Sequence, residues 1–317
     1  MNKKIQIAKL FTNQIFFLTA LIILLGIIAT IFNPNFFSAQ NLLNILQQNS
    51  ILGIVAIGAT LVMISGNFDI SVGSMMGLST TVIAVLIFNG FNSALAIIIG
   101  FSVCVVCGLI NGVIIAKTRT PSFIITLASM SIYFGISLIV TGGASHSLGG
   151  KFADLGRGNA FGVLPNPIIA MAVIYIVVYV ILRFTKLGRR IYAIGGNESA
   201  AYLSGIDTDT SKIIIYLLNG VLVGIAALVL VSKLGSALPT TGQGMELKAI
   251  AAVVIGGVPL TGGKGSVIGT FLGVILTGLI SNILNILSIS AYYQQIVLGV
   301  IIILAVIISN IGGIKRK

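Results

Sequence analysis

Uncharged apolar stretches follow one another along almost the whole chain, at 15–32, 51–65, 70–88, 93–116, 122–140, 166–182, 213–232, 249–263, 265–288 and 291–310. A helix needs about 20 such residues, rising about 1.5 Å each, to cross the hydrocarbon of a bilayer. Eight stretches come near that length. The other two, 51–65 and 249–263, have 15 residues each and reach only about 22 Å. Both stop at glycine-rich breaks, Gly66-Asn67-Phe68-Asp69 and Gly256-Gly257-Val258-Pro259. The pattern predicts an all-α, polytopic membrane protein of about ten transmembrane helices, two of them short and broken, forming one domain over residues 1–317.

Composition agrees. Charged residues are 8% and apolar residues 57% of 317 positions, against roughly 25% charged in a soluble domain. The net charge of +12 comes from loop lysines and arginines, with only six acids: Asp69, Asp154, Glu198, Asp207, Asp209 and Glu246. No soluble basic domain is left over, so the basicity does not point to nucleic acid. The amino terminus, with Lys3, Lys4 and Lys9 before 15–32, imitates a signal peptide; the longer apolar core and the many spans behind it predict a retained first helix. With ten alternating helices and the amino terminus inside, 14 of the 18 cations fall inside, leaving Lys151, Arg157, Lys233 and Lys248 outside. The positive-inside rule then places both termini in the cytoplasm.

Against the apolar background stands one long hydrophilic segment, 184–212, expected on the cytoplasmic face. Within it a basic loop leads to a short capped helix. Asn197 is a good N-cap, Glu198 suits the first turn, Ala200, Ala201 and Leu203 favour helix, and Gly205 is a natural stop. About two turns would present Ala200, Ala201, Tyr202 and Leu203. A helix so short is marginal unless something packs on it, and a soluble partner would supply that packing.

The first break, Asn67-Phe68-Asp69-Ile70-Ser71-Val72-Gly73, carries the carboxylate of Asp69, which is costly there unless it caps a helix or faces water. It is placed to cap a helix starting near Ile70. A purely structural cap and direct contact with a solute both remain open, since discontinuous helices often line transport pathways. A faint repeat pairs Gly66 with Gly256, Ile70 with Leu260, Ser71 with Thr261 and Gly73 with Gly263; shared ancestry and convergent glycine usage both explain it. Four spaced glycine sets, Gly73/Gly77, Gly108/Gly112, Gly220/Gly224 and Gly265/Gly269/Gly273, predict close helix packing, mostly within the chain. The glycine-rich 261–266 is no Walker loop, because Gly265 follows Lys264 where Ser or Thr is required and Val258 stands at the earlier glycine position.

Neutral polar residues inside the spans, among them Asn282 and Asn285 on one helix face, suit an uncharged polyhydroxylated solute. Ion coupling would need embedded ionisable groups, and the spans offer only Asp69 at one edge. Cys104 and Cys107, one turn apart in an apolar run, read as small buried hydrophobes. The single histidine, His146, lies in the external loop 141–165 and reads as a solvated residue. Lys151 and Arg157 in that loop could meet acids on an external partner. No nucleophile–base pair or metal-ligand cluster is present, and no cofactor or catalytic residue is expected.

Several stretches resemble one family: G-N-F-D-I-S-V-G-S (66–74), G-L-I-N-G-V-I-I-A-K (108–117), T-K-L-G-R-R-I-Y-A-I-G-G-N-E-S-A-A-Y-L-S-G-I (185–206) and A-I-A-A-V-V-I-G-G-V-P-L-T-G-G-K-G-S-V-I-G-T (249–270). They are similar to permease subunits of bacterial ABC importers for monosaccharides, of the ribose, xylose and galactoside type, with the ribose type nearest. The resemblance implies a homodimeric permease in the cytoplasmic (inner) membrane, two ATP-binding subunits beneath it and an extracytoplasmic sugar-binding protein above. Residues 197–205 are then the coupling helix that enters the ATPase, and ribose import by alternating access is the expected function. The break residues Asn67, Asp69, Ser71, Gly73 and Thr261, with Asn282 and Asn285, are the expected pathway. Pro259 departs from the small polar residue the family usually carries there. An ion-coupled sugar transporter acting without ATPase subunits is the alternative.

Overall fold

Ser38 starts the first long central helix by accepting the N–H of Asn41 at 3.3 Å. In the computed structural model, which describes residues 14–290, 292–297, 299–300, 303 and 307, the helices are α1 (Gln14–Phe32), α2 (Ala39–Ile64), α3 (Val72–Phe88), α4 (Ser93–Thr118), α5 (Ser122–Thr141), α6 (Asp154–Arg157), α7 (Asn166–Phe184), α8 (Lys186–Gly196), α9 (Glu198–Leu203), α10 (Thr208–Leu234), α11 (Met245–Ile255) and α12 (Val267–Ile286). Residues 292–297 are helical as well. Four two-residue strands, β1 (His146–Ser147), β2 (Asn159–Ala160), β3 (Leu164–Pro165) and β4 (Ser236–Ala237), only clip loops together. Seven helices, α1, α2, α4, α5, α7, α10 and α12, are long and apolar enough to cross a membrane. The protein is an all-α, multi-pass membrane protein.

The first short broken span of the sequence pattern is a full one. Polar Gln40, Asn41, Asn44, Gln47, Gln48 and Asn49 hide its first half from hydropathy. They do not break the helix, because Asn49 and Ser50 donate back to the carbonyls of Ile45 and Leu46 at 2.8 and 2.7 Å. The 26 residues of α2 reach about 39 Å. The second span is short, since α11 has 11 residues. Its start lies below the surface: 239–242 runs inward along α3, with Pro239 and Thr241 against Gly77 and Gly242 against Gly73. Lys248 is carried inward on α11 instead of lying in a surface loop.

Two helices form the centre. In α2 78% of the apolar window is buried and in α10 61%, against 17% in α1. The spaced glycines let backbones touch. Gly108 and Gly112 of α4 rest on Tyr216, Gly220 and Ile213 of α10, and Gly269 and Gly273 of α12 rest on Gly256 and Ala252. Gly220 and Gly224 take Cys104 and Phe101. All these glycine faces are occupied within the chain. Cys104 and Cys107 are free thiols buried in the core.

Contacts sort the loops into two ends. At one, Lys117 meets Asp209 at 3.5 Å, and segments 64–71, 119–122, 185–207 and 256–266 gather. At the other, His146 pairs with Ala237 across β1 and β4, and its ring meets Phe88 edge-on at 5.1 Å. His146 is thus half-buried and tethered, not solvated: its Nε2 lies 3.2 Å from the Thr141 carbonyl. Arg157 donates to the carbonyls of Lys233 and Leu234 at 2.7 and 2.9 Å, closing the exposed carbonyl end of α10. Among the described residues the first end holds Lys117, Arg119, Arg183, Lys186, Arg189, Arg190, Lys212 and Lys264, and the second holds Lys151, Arg157 and Lys233.

Candidate coupling foot and membrane breaks

The foot is built from Thr185 onward. Thr185 accepts the Gly188 N–H at 3.2 Å and opens α8, so the stretch read as a basic loop is helical. Leu187, Ile191 and Ile194, spaced along one face, turn inward while Lys186 and Arg189 stay out; that spacing is the signal the glycines Gly188, Gly195 and Gly196 obscured. Asn197 then caps α9, its Oδ1 accepting the Ala200 N–H at 2.9 Å, and Gly205 ends it at φ +82°. Glu198 takes the Lys212 ammonium at 2.6 Å, and the lysine is only 9% exposed. Tyr202 and Leu203 stand 66% and 84% exposed, and Ala200 is exposed beside them. Ala201 is buried instead of presented, because α9 leans that face on the chain and the Ile206 N–H closes on the Ala201 carbonyl at 3.1 Å.

The foot touches both breaks. α2 ends with the N–H groups of Gly66 and Asn67 turned back to Met63 and Val62 at 3.0 and 3.2 Å, and α11 ends the same way with Gly257 and Val258 on Val254 and Val253. Gly66 and Gly257 both have positive φ, +80° and +97°, which an L side chain resists. The structural register therefore pairs Gly66 with Gly257, one place from the sequence repeat. Seven residues separate α2 from α3 and eleven separate α11 from α12, so Gly73 is helical while Gly263 still lies in its break, and Ser71 answers to Ser266 rather than to Thr261. The breaks join where Gly263 donates to the Ile64 carbonyl at 2.8 Å. Gly195 of α8 seats on that same carbonyl and on the Gly263 nitrogen, Gly196 lies on Gly263, and Gly262 lies on Gly66. Tyr192 adds a hydrogen bond to the Gly265 carbonyl at 2.9 Å.

Asp69 has a different place from the one expected. The helix starts at Val72, and Asp69 does not cap it from Ile70. Residues 67–71 return into the protein without regular secondary structure, and Asp69 is 4% exposed. Its Oδ1 accepts the Ser71 N–H and hydroxyl at 3.0 and 2.6 Å, and its Oδ2 accepts Asn219 at 2.9 Å. Asn111 donates to Ser71 at 2.9 Å and accepts from Ser129 and Tyr133 at 2.7 and 2.9 Å. Ser122 and Tyr216 satisfy the Phe68 backbone at 2.9 and 2.7 Å. Irregular backbone at membrane depth survives only when so satisfied. The network bolts the break to α4, α5 and α10.

The predicted pathway residues do not form one cluster. Asn67, Asp69, Ser71 and Gly73 are buried around the first break, and Thr261 is exposed in the second. Asn282 and Asn285 lie toward the opposite end, donating to Asn41 at 3.3 Å and accepting from Gln294 at 2.8 Å respectively. Lys151 is exposed at that end, while Arg157 is engaged with α10. A cavity of about 970 Å³ opens beside the foot, between Glu198, Tyr202 and Lys212 on one wall and Arg119, Ser122 and Asn67 on the other.

The family model described as "branched-chain amino acid transport system / permease component" matches residues 41–306, from inside α2 past α12 and so across both breaks and the foot. The chain belongs to this permease family. Among its relatives, the permease is similar to the ribose import permease protein of Escherichia coli (strain K12), 43% identical over 298 residues covering 92% of each chain. It is equally similar to that of Bacillus subtilis (strain 168), 43% identical over 290 residues and 90% of each chain. The xylose transport system permease protein of Haemophilus influenzae (strain ATCC 51907 / DSM 11121 / KW20 / Rd) is 33% identical over 351 residues, covering 91% of the permease and 94% of the relative. No solved structure matches the permease.

Proposed function

We propose that the permease is the transmembrane subunit of an ATP-driven importer that brings a monosaccharide, ribose in the first instance, into the bacterial cytoplasm by alternating access. The observation that carries this reading is the foot: a capped helix offering Tyr202 and Leu203 to a partner while its supporting helix α8 is seated on both breaks. A push on α9 reaches the Ile64–Gly263 contact through packed backbone, which cannot absorb it as flexible side chains would. The ribose import relatives support the choice of solute. The subunit makes and breaks no bonds itself.

In this reading the cation-rich end faces the cytoplasm by the positive-inside rule, and ten helices bring both termini to that side. ATP-binding subunits sit beneath α9, residues 197–205 acting as the coupling helix. A soluble sugar-binding protein docks at the opposite end, where Lys151 is exposed, and a second copy of the chain completes a homodimer of single-domain subunits in the inner membrane. Ion coupling is disfavoured because both oxygens of Asp69 are already engaged.

The test is sugar uptake into vesicles holding the permease with its ATP-binding and sugar-binding partners. Leu203→Asp and Tyr202→Ala should leave the permease inserted and abolish ATP-dependent uptake. Normal accumulation in both variants, or uptake by wild type without ATP and partners, removes the proposal.

A further inference from the structure

A second cavity, of about 210 Å³, lies between α2, α11, α12 and the helical residues 292–297. Its polar wall is made of the amides of Gln48, Asn49, Gln294 and Gln295 and the hydroxyls of Thr277 and Ser281. Leu52 and Met245 supply an apolar patch, and Lys248 is the single charged residue lining it. The place is deep. Asn49 stands ten residues into α2 and Thr277 nine before the end of α12, so each lies about 15 Å along its helix from the nearer end, close to half of a hydrocarbon layer about 30 Å thick.

Polar groups at that depth face protein partners or an aqueous cavity. Some of this capacity is spent. Asn49 donates to Ile45 at 2.8 Å, Thr277 to Gly273 and Val274 at 3.1 and 2.9 Å, and Gln294 to Asn285 and Ile289 at 2.8 and 3.0 Å. Gln48, Ser281, Gln295 and the Lys248 ammonium make no side-chain hydrogen bond within the described residues. Gly278 leaves room for the Asn49 amide, which lies where its Cβ would stand. The start of α11 below the surface is what brings Lys248 to this level. Free neutral donors and acceptors around a small apolar floor match a sugar, whose hydroxyls both donate and accept and whose C–H face is apolar.

We propose that this cavity is a transit site within the membrane for one neutral polyhydroxylated solute, held by Gln48, Ser281, Gln295 and Lys248 between delivery from outside and release inside. The proposal rests on the importer reading and adds a solute-contacting site to it, in the half of the protein away from the foot. Lys248 serves as a hydrogen-bond donor to hydroxyls. Amide and hydroxyl groups surround it, so an anionic solute would find one ammonium and no second cation.

The experiment measures D-ribose uptake and ATP hydrolysis together in the reconstituted importer. Gln48→Leu with Lys248→Met should lower uptake at limiting sugar about tenfold, the loss of two hydrogen bonds, with ATP hydrolysis still stimulated by the sugar-loaded binding protein. Ser281→Cys provides a check on folded complexes, since Cys104 and Cys107 are buried: a bulky water-soluble maleimide should block uptake after assembly. Unchanged uptake per ATP in the double variant, or full uptake after complete labelling, overturns the site and leaves the importer reading standing. So does a Lys248→Met effect confined to ribose 5-phosphate. A wild-type complex that hydrolyses ATP without accumulating any pentose instead defeats the importer reading.

Discussion

The Gly263 amide donates to the carbonyl of Ile64 at 2.8 Å, although 198 positions lie between them in the chain. That bond ties the end of α2 to the second break, and Gly195 of the foot covers it from outside. Three separate segments meet there through backbone alone, with no side chain between them to yield.

Gly195→Ala should therefore be costly. Its Cβ would meet the Ile64 carbonyl and the Gly263 nitrogen, and overpacking against backbone costs about 1–3 kcal/mol. A lowered melting temperature of the purified permease, with weaker coupling of ATP hydrolysis to uptake, is the expected result. Gly196→Ala is the control, because nothing stands within 4 Å of its Cβ; equal behaviour of the two variants would dismiss the joint.

Glu198 holds a lysine that is nearly buried. Glu198→Gln should loosen α9 by about 1–2 kcal/mol, since it strands the Lys212 ammonium, whereas Lys212→Met should cost less. Protease cleavage between residues 196 and 207 reads the difference. Faster cleavage in the methionine variant than in the glutamine one would contradict the assignment.

Asp69→Ala would leave Asn219 and Ser71 without their acceptor. Three buried donor groups, the Ser71 N–H and hydroxyl and the Asn219 amide, lose their acceptor, at a cost of about 3–6 kcal/mol together. The prediction is poor yield or a markedly lower melting point, with Asn111→Ala milder but in the same direction. A fully stable Asp69→Ala protein that fails only in sugar uptake would restore the solute-contact reading.

Thr210 hydrogen-bonds Asp207 and holds its carboxyl below the ordinary 3.8, with weaker help from Lys117 and Arg190. A depressed folded value means that the stabilisation is present above the ordinary value and is lost as pH falls through the folded one. The first turn of α10, capped by Asp207 at 3.0 Å to the Thr210 N–H, should loosen as the pH falls below the ordinary carboxylate value. A protection factor of the Thr210 amide, taken against the intrinsic exchange rate, that falls below about pH 4 and stays flat there in Asp207→Asn is the expected signature.

Hydropathy was enough to read the membrane class and six of the seven long spans, and the capping residues to read the helix at 198–203, because those depend on local composition and on the nearest backbone groups. Asn197, Glu198 and Gly205 act on neighbours within a turn, and the order of those residues carries their role. Hydropathy misread the first half of α2, whose side-chain amides satisfy themselves on the preceding turn. It also misplaced Lys248, whose depth depends on where 239–242 packs along α3. The direction of Asp69, the meeting of Ile64, Gly195 and Gly263, and the inward face of Ala201 belong to tertiary structure alone. Each is decided by contact between segments far apart in the chain, and in lipid such contacts are chosen by close packing and shared hydrogen bonds, neither of which leaves a period in the sequence.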